Sequence, residues 1–308
     1  MRQNKRKKNK KNPVVFLASL LIFAAGAGIF LYPAVSNLLA EYRQENVIKT
    51  YRAKVDQADQ EELDAAWEEA ETYNENLAGD PVHDPFVMGS GYVLPENYTS
   101  VLNMDGDGVM GYIDIPSIDV HLPIYHGTSE EVLENGAGHM DVTALPIGGL
   151  NRHSVISAHR GLPAAELFTR LDEMETGDKF YIHILDRILA YEVDQIQVIE
   201  PEELEFLTVE PEKDLVTLLT CTPYAVNTHR LLVRGTRIPY EETEGGTTEE
   251  RISGSWFRDY LAAIAAGVVI LIVLVIAVIR WRKKGRQNDR RRRRGRRRGK
   301  RARRRSER

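Results

Sequence analysis

Two long apolar runs stand out in the hydropathy pattern, one near each end of the 308-residue chain. Residues 14–32 and 261–279 carry no charged side chain. Each run is close to the roughly 20 residues that cross a bilayer as a helix. The pattern therefore predicts two transmembrane helices on either side of a more polar middle section.

The flanks of these runs are strongly basic. Lys and Arg are concentrated in residues 1–13, before the first run, and in the tail 280–308, after the second. Because cytoplasmic flanks are enriched in Lys and Arg, we expect a two-pass protein of the cell membrane with both termini in the cytoplasm and the middle section outside. A cleaved signal peptide is the alternative for the first run. That run is longer than a usual signal core, and no clear small-residue cleavage site follows it.

The start of the middle section has a helical period. In residues 41–78 the apolar positions Val47, Tyr51 and Val55 recur every four residues, and acids occupy the other faces. This spacing predicts one or two amphipathic helices that pack on the main domain, or a helical stalk above the membrane. Gly and Pro then interrupt the pattern throughout residues 79–103, which favours irregular structure.

Residues 104–239 change to short apolar stretches separated by turn residues. The predicted strands are 109–115, 121–125, 153–158, 179–185, 188–198, 215–220 and 230–238, with one short helix at 164–171. Many short strands at regular spacing are typical of an antiparallel barrel or sandwich, so the predicted fold class is mainly β. The polar residues 240–255 then form a linker to the second apolar run.

The net charge of −4 conceals a marked segregation. Residues 1–40 carry +7, residues 41–255 carry −28 and residues 256–308 carry +17. Broad nucleic-acid binding needs a basic surface, so the acidic middle section excludes it. The Arg-rich tail directly follows a membrane span, which favours a topology signal that also touches anionic lipid.

One cysteine, Cys221, is present, so the chain can form no internal disulfide. It lies where an apolar strand meets a turn, in the run TLLTCTPY. Thiol catalysis needs a thiolate, a proton carrier and a donor for the oxyanion of acyl transfer. Arg230 begins the next strand, and a hairpin would bring its guanidinium near the sulfur. His159 ends an earlier strand and is suited to general acid and base chemistry. We therefore predict Cys221, His159 and Arg230 as the catalytic set.

The other histidines near these residues have simpler interpretations. We expect structural roles for His126, His153 and His229, the last because it neighbours Arg230 on a strand and so faces the opposite side. One cysteine and scattered histidines also lack the ligand spacing of a zinc site. We expect no metal and no cofactor.

Several runs together resemble the sortase family. They are LPIYHG at 122–127, HSVISAHRGL at 153–162, TLLTCTPY at 217–224 and NTHRLLVRG at 227–235, within a similarity that covers about residues 105–238. The chain departs from the family pattern at Ser157-Ala158, where Thr-Gly is expected, and at Ala225, where Gly is expected. The resemblance implies the sortase β-barrel and transpeptidation at an LPxTG-type sorting signal. It implies that Cys221 attacks the Thr–Gly bond, that His159 protonates the leaving amine, and that an incoming amine releases the acyl-enzyme.

A second resemblance lies in the irregular segment. The run His83-Asp-Pro-Phe86 is similar to the lid motif of class C sortases, the pilin-polymerising kind. The resemblance implies that Asp84 pairs with the catalytic Arg and that the ring of Phe86 covers the Cys. An ordinary Asp-Pro turn is the alternative.

The expected function is that of a class C sortase, with LPxTG-bearing pilins and a pilin lysine as its partners. Three alternatives stay open: a sortase that attaches surface proteins to a cell-wall peptide amine, an inactive sortase-like scaffold, and a surface protein that is itself anchored to the wall. The last requires an LPxTG-like motif just before residue 261, where the chain has RISGS at 251–255.

Overall fold

The computed structural model describes residues 13–77 and 97–241. Most of the predicted lid region, nearly all of the linker, the second apolar run and the basic tail lie outside these residues. Where the described part begins, a single helix, α1 (Pro13–Gln57), contains both the first apolar run and the beginning of the predicted helical segment. The sequence pattern left residues 33–40 unassigned, and the structure makes them part of this helix, with Pro33 inside it.

The N-terminal helices lie against the body of the protein. Helix α2 (Gln60–Asn76) is capped at its N-terminus by Asp59, whose side chain accepts a hydrogen bond from the backbone N–H of Glu62 at 2.9 Å. Tyr51 of α1 is buried, and its hydroxyl donates to the carbonyl of Met110 at 3.1 Å and accepts from the N–H of Leu185 at 2.8 Å. These contacts hold the helices on the barrel, so they do not stand clear of it as a stalk.

Within the described residues, one helix, α1, is long and apolar enough to cross a membrane, judged by length and composition alone. None of its apolar window is buried against the rest of the protein. The second predicted membrane helix, at 261–279, lies outside the described residues, so the two-span prediction is not confirmed.

The main body is a closed eight-stranded barrel in the order β1-β2-β3-β4-β7-β8-β6-β5. The strands are β1 (Val109–Ile115), β2 (Val120–His126), β3 (Ala137–His139), β4 (Arg152–Ser157), β5 (Lys179–Ile184), β6 (Arg187–Ile199), β7 (Asp214–Thr222) and β8 (His229–Ile238). One short helix, α3 (Glu130–Asn135), lies between β2 and β3. The predicted mainly β barrel is therefore confirmed.

Two local predictions were wrong, and two short elements were missed. The barrel is not wholly antiparallel, because β2 pairs with β3, and β4 with β7, in parallel. Strand β3 and helix α3 were both missed, since each is too short to show a period. The helix predicted at 164–171 is absent: the chain turns there, with Leu167 at a left-handed φ of 45° that a continuous helix does not tolerate. That turn lets both Leu167 and Phe168 enter the core.

Strands β4 and β7 are covered on both faces. The side chains of β7 are buried from Leu215 to Cys221, so both faces of the strand are packed. One face meets the main core, and the other meets a smaller apolar cluster that includes Val155 and Leu219. A strand covered on both faces reads as a continuous apolar run, as the sequence LVTLLT does. The result is a rigid mount for the residue at its end, Cys221.

Candidate active site

Cys221 and Arg230 face each other across two neighbouring strands. The antiparallel register of β7 and β8 pairs Cys221 directly with Arg230. Side chains at directly opposite positions project from the same face, with Cβ atoms about 4.5–5.5 Å apart. Cys221 is 7% exposed and Arg230 is 5% exposed. The predicted hairpin is therefore present, and it places Arg230 directly opposite the only cysteine of the chain.

The Arg230 guanidinium is held by backbone on its own side of the site. Its Nη1 donates to the carbonyl of Asn227 at 3.2 Å and to that of His229 at 3.1 Å. On the other edge of β8, Arg230 pairs with Ile199, the last residue of β6. A buried, oriented guanidinium can stabilise negative charge on a sulfur atom or on a substrate oxygen.

His159 reaches the same end of the barrel through a different strand pair. Strand β4 runs parallel to β7, with Ser157 level with Leu219. The pairing continues past the strand end, since the N–H of Ala158 donates to the carbonyl of Leu219 at 3.2 Å and the hydroxyl of Thr220 donates to the carbonyl of Ala158 at 2.8 Å. His159 is the next residue, and it comes level with Cys221. The structure thus brings all three predicted residues to one end of the barrel.

The electrostatic surroundings of His159 favour its neutral form. Burial lowers the pKa of His159, while the carboxylates of Glu134 and Glu130 act in the opposite direction. Both acids lie on α3, which precedes the strand that pairs with β4. A neutral imidazole can accept a proton from a thiol or an amine and return it later in the same reaction.

Arg160 supports the site and was not singled out from the sequence. Its Nη1 donates to the hydroxyl of Thr222 at 3.0 Å, and its Nη2 forms an ion pair with Asp172. It therefore ties the segment after His159 to the end of β7. The next residue, Gly161, has a φ of +81°, and a Cβ there would lie 3.1 Å from the ring of Tyr224. The sequence feature that could have indicated Arg160 is its position between His159 and Gly161 in the run HRG, where each of the three residues has a separate role.

The competing histidines make contacts that suit structural roles. His153 is buried, with Nδ1 2.9 Å from the carbonyl of Thr208 and Nε2 2.7 Å from the hydroxyl of Thr217. The ring nitrogens of His126 lie 2.9 and 2.7 Å from two backbone carbonyls. In residues 13–77 and 97–241, no group of three or more His, Cys, Asp or Glu side chains is arranged to hold a metal ion. Asp84 and Phe86, the predicted lid residues, lie outside the described part of the chain.

Comparison with known proteins agrees with this geometry. A family model described as the sortase domain matches residues 113–238. The solved structure of Streptococcus pneumoniae sortase C is 47% identical, and the match covers 63% of this chain and 97% of that one, with a TM-score of 0.59.

The chain belongs to the sortase family.

Two further proteins are similar to this chain over different shares of their length. The solved structure of Actinomyces oris sortase C-1 is 46% identical over 58% of this chain and 99% of that one, with a TM-score of 0.54. The curated sortase A of Streptococcus agalactiae serotype III is 32% identical over 157 residues, which is 49% of this chain and 61% of that protein. The chain thus spans less than two thirds of the curated relative. Sortases are cysteine transpeptidases, and this sortase has a single cysteine, Cys221, at the end of β7.

Proposed function

We propose that this sortase cleaves an LPxTG-type sorting signal and transfers the product to a pilin lysine, thereby joining pilin subunits. One observation carries the proposal: Cys221 lies opposite Arg230 in the β7–β8 register, and the β4–β7 register brings His159 level with both. These are the nucleophile, the oxyanion donor and the proton carrier that acyl transfer by a thiol requires.

The three side chains divide the reaction between them. Neutral His159 takes the proton of the Cys221 thiol, and the sulfur attacks the carbonyl carbon of the substrate threonine. Arg230 stabilises the negative charge that forms on the carbonyl oxygen. The Thr–Gly C–N bond then breaks, and His159 gives a proton to the leaving amine, so a thioester remains on Cys221. The acceptor amine attacks this thioester and gives up a proton to His159. The new amide leaves, and His159 returns this proton to the Cys221 sulfur, which restores the thiol and the neutral imidazole.

The choice of a pilin lysine as acceptor follows from the structural relatives. The two solved structures compared above are both of sortases C, and the pneumococcal one is described as giving insight into pilin substrate specificity. We propose in addition that Asp84 and Phe86 form a lid over the site, with Asp84 paired to Arg230 and Phe86 against Cys221. The second candidate acceptor is a cell-wall peptide amine. The similarity to a sortase A supports this alternative.

Membrane anchorage is part of the same proposal. Residues 14–32 of α1 cross the membrane, residues 261–279 cross it again, and the barrel lies outside the cell. The exposed apolar window of α1 supports the first crossing. The basic residues outside both runs support cytoplasmic termini.

The test is a transfer assay with an LPxTG peptide and two acceptors, a pilin peptide with its lysine and a cell-wall peptide amine. Wild-type protein should form a thioester of the cleaved peptide on Cys221, detectable by mass spectrometry, and should prefer the pilin lysine. Cys221→Ala should form neither adduct nor product while keeping the circular dichroism spectrum and melting temperature of the wild type. Transfer at the wild-type rate by Cys221→Ala would overturn the enzyme assignment, and preference for the cell-wall amine would favour the second candidate.

A further inference from the structure

Helix α1 meets the loop that follows His159 only a few residues after the first apolar run ends. The hydroxyl of Ser36 lies 3.0 Å from the carbonyl of Pro163, and it also lies 2.8 and 3.0 Å from the carbonyls of Tyr32 and Pro33 in its own helix, so its single proton is shared among three acceptors. The side-chain oxygen of Asn37 accepts from the backbone N–H of Glu166 at 2.7 Å. Ser36 comes four residues after Tyr32, the last residue of the run, which is about 6 Å of helix at roughly 1.5 Å per residue.

The loop that α1 touches is fixed to the active site on its other side. The backbone N–H of Phe168 donates to the carbonyl of His159 at 3.1 Å, and that of Gly161 donates to the hydroxyl of Thr169 at 3.1 Å. Phe168 is fully buried in the core. The segment from Gly161 to Thr169 is thus held between α1 and the residue that we assign as the proton carrier.

The electrostatics of this contact show how closely α1 packs there. The side-chain amide of Asn37 donates to the carboxyl of Glu41 at 2.9 Å. Burial, together with the carboxylates of Glu166 and Asp119, raises the pKa of Glu41 to about 7. Both neighbours belong to the barrel, Glu166 to the loop after His159 and Asp119 to the turn just before β2.

Farther along, α1 runs toward the opposite end of the barrel. Gln44 donates to the carbonyl of Asn135 at 3.2 Å, and Tyr51 contacts the backbone of Met110 and Leu185. Leu185 lies in the turn between β5 and β6, whereas the far end of the 13-residue strand β6 pairs with Arg230. At about 3.3 Å per residue, the contour of β6 from this turn to the catalytic end is roughly 40 Å, and the separation along the barrel axis is shorter because barrel strands are tilted. Helix α1 therefore passes from the catalytic end to the distal end as it leaves the apolar run.

We propose that the catalytic end of the barrel faces the membrane and that α1 holds it there through Ser36 and Asn37. The inference rests on the proposed membrane anchorage of residues 14–32. Val35, Leu39 and Tyr42 are exposed apolar side chains on α1, so the apolar surface of the helix continues up to the level of the loop. Tyr32 and Tyr42 are suited to the boundary between lipid and water.

This orientation matches the form of the substrate in the proposed function. A sorting signal places its motif just before an apolar span and a basic tail, so the motif emerges at the outer surface of the bilayer. A catalytic end that faces the bilayer can take the motif while the span remains in lipid. Pro33 removes a hydrogen bond from α1, so the helix can bend there. A moderate bend at Pro33 would tilt the barrel, but its catalytic end would still lie nearer to the membrane than its distal end.

The orientation can be measured without any enzymatic activity. In the full-length chain, Cys221→Ala removes the only native thiol, and Glu166→Cys or Asp186→Cys then adds one exposed thiol at the catalytic or the distal end. The two variants are matched, because each replaces one exposed acid. After labelling with a fluorophore and reconstitution in phosphatidylcholine vesicles that contain a headgroup acceptor dye, energy transfer should be strong from position 166 and weak from position 186. Equal transfer or the reverse order would overturn the inference, as would a chain that fails to float with the vesicles.

The role of Ser36 and Asn37 as positioning residues needs a second measurement. A double variant, Ser36→Ala with Asn37→Ala, should lose about tenfold in kcat/KM on an LPxTG polypeptide that carries an apolar span in the same vesicles, a loss of the size expected for one or two hydrogen bonds. On a soluble LPxTG peptide the double variant should lose less than about threefold in kcat/KM, since that substrate does not require the active site to lie at a fixed distance from the membrane. Asn46→Ala, an exposed position on the same helix, is the matched control and should change neither rate.

The outcomes of these experiments are distinguishable. Equal losses of kcat/KM on both substrates would show that Ser36 and Asn37 only stabilise the loop. That result would overturn their proposed role in orienting the active site toward a membrane-embedded substrate. Absence of transfer by the wild type on either substrate would contradict the proposed function, and the labelling result would still decide the orientation.

Discussion

At the scale of single residues, Arg230 shows how position decides the use of a side chain. It is buried beside Cys221, and two backbone carbonyls orient its Nη1. Four residues along the same strand, Arg234 is instead bound by the carboxylates of Asp194 and Glu210. The first guanidinium lies at the proposed site of bond breaking, and the second closes a structural ion-pair group.

This difference predicts the effects of two matched substitutions. Arg230→Lys keeps the charge but loses the planar fork of donors, so kcat/KM for LPxTG transfer should fall by about a hundredfold or more, as on loss of an oxyanion donor. Arg234→Lys should retain activity within about threefold. The measurement is steady-state kinetics with peptide and amine on folded proteins. Activity of Arg230→Lys close to that of the wild type would show that charge alone suffices or that Arg230 is structural.

At the scale of elements, strands β1, β2 and β5 are joined by a partly buried polar group beneath α1. Asp114 of β1 contacts Nδ1 of His121 and lies 3.0 Å from Nε2 of His183. The ring of His183 stacks on Tyr112 at 4.2 Å, and Glu45 of α1 lies 3.5 Å from Nε2 of His121. Burial favours the protonated acid, yet the hydrogen bonds and charges of the two histidines outweigh it and hold the pKa of Asp114 well below its usual range.

Asp114→Asn should therefore lower the free energy of unfolding at pH 7 by about 2–3 kcal/mol, the size expected for losing charged hydrogen bonds in a partly buried group. Because the folded pKa of Asp114 is depressed, its contribution is present above the unfolded pKa of about 3.9 and is lost as pH falls through the folded pKa. The difference in free energy of unfolding between the wild type and Asp114→Asn should therefore become smaller below about pH 4. Urea unfolding at pH 3 to 7 measures it, with exposed Asp107→Asn as the control. A gap that is constant over this range would contradict the assignment.

The proposed lid is another element with a measurable consequence. If Asp84 and Phe86 together hold the lid by about 1–3 kcal/mol, opening it should speed modification of Cys221 by roughly 5- to 150-fold. Asp84→Ala and Phe86→Ala should each accelerate labelling by a small thiol reagent, while His83→Ala in the same segment should not. Equal rates in all four proteins, the wild type included, would remove the gate and make the Asp-Pro-Phe run an ordinary turn.

At the scale of the whole molecule, the distribution of charge predicts the topology. The acidic section 41–255 is proposed to lie outside the cell, and the basic ends inside. Protease added to intact cells should remove the barrel and spare tags on either terminus, whereas permeabilised cells should lose both tags. Loss of the N-terminal tag from intact cells would show that residues 14–32 act as a signal peptide.

The sequence alone determined the features that depend on local pattern and local chemistry. Apolar alternation located seven of the eight strands, and the runs around His159, Cys221 and Arg230 indicated both the family and the three side chains. The strand predictions succeeded because a strand covered on one or both faces shows its burial in its own residues, and the family assignment succeeded with them, whereas the catalytic roles of the three side chains stay a prediction. The nine-residue interval between Cys221 and Arg230 also made a hairpin the natural connection.

Only the tertiary structure decided the features that depend on pairing between distant segments. The parallel register of β4 and β7 brings His159 level with Cys221 from 62 positions away, and no local period encodes that register. The helix predicted at 164–171 gave way to turns, with Leu167 at a left-handed φ and with Leu167 and Phe168 both buried in a core that distant segments complete. Likewise, Ser36 and Asn37 gain a role only where α1 meets the loop after His159. Local free energies set which residues form strands and helices, but burial shared between distant segments sets which of them meet.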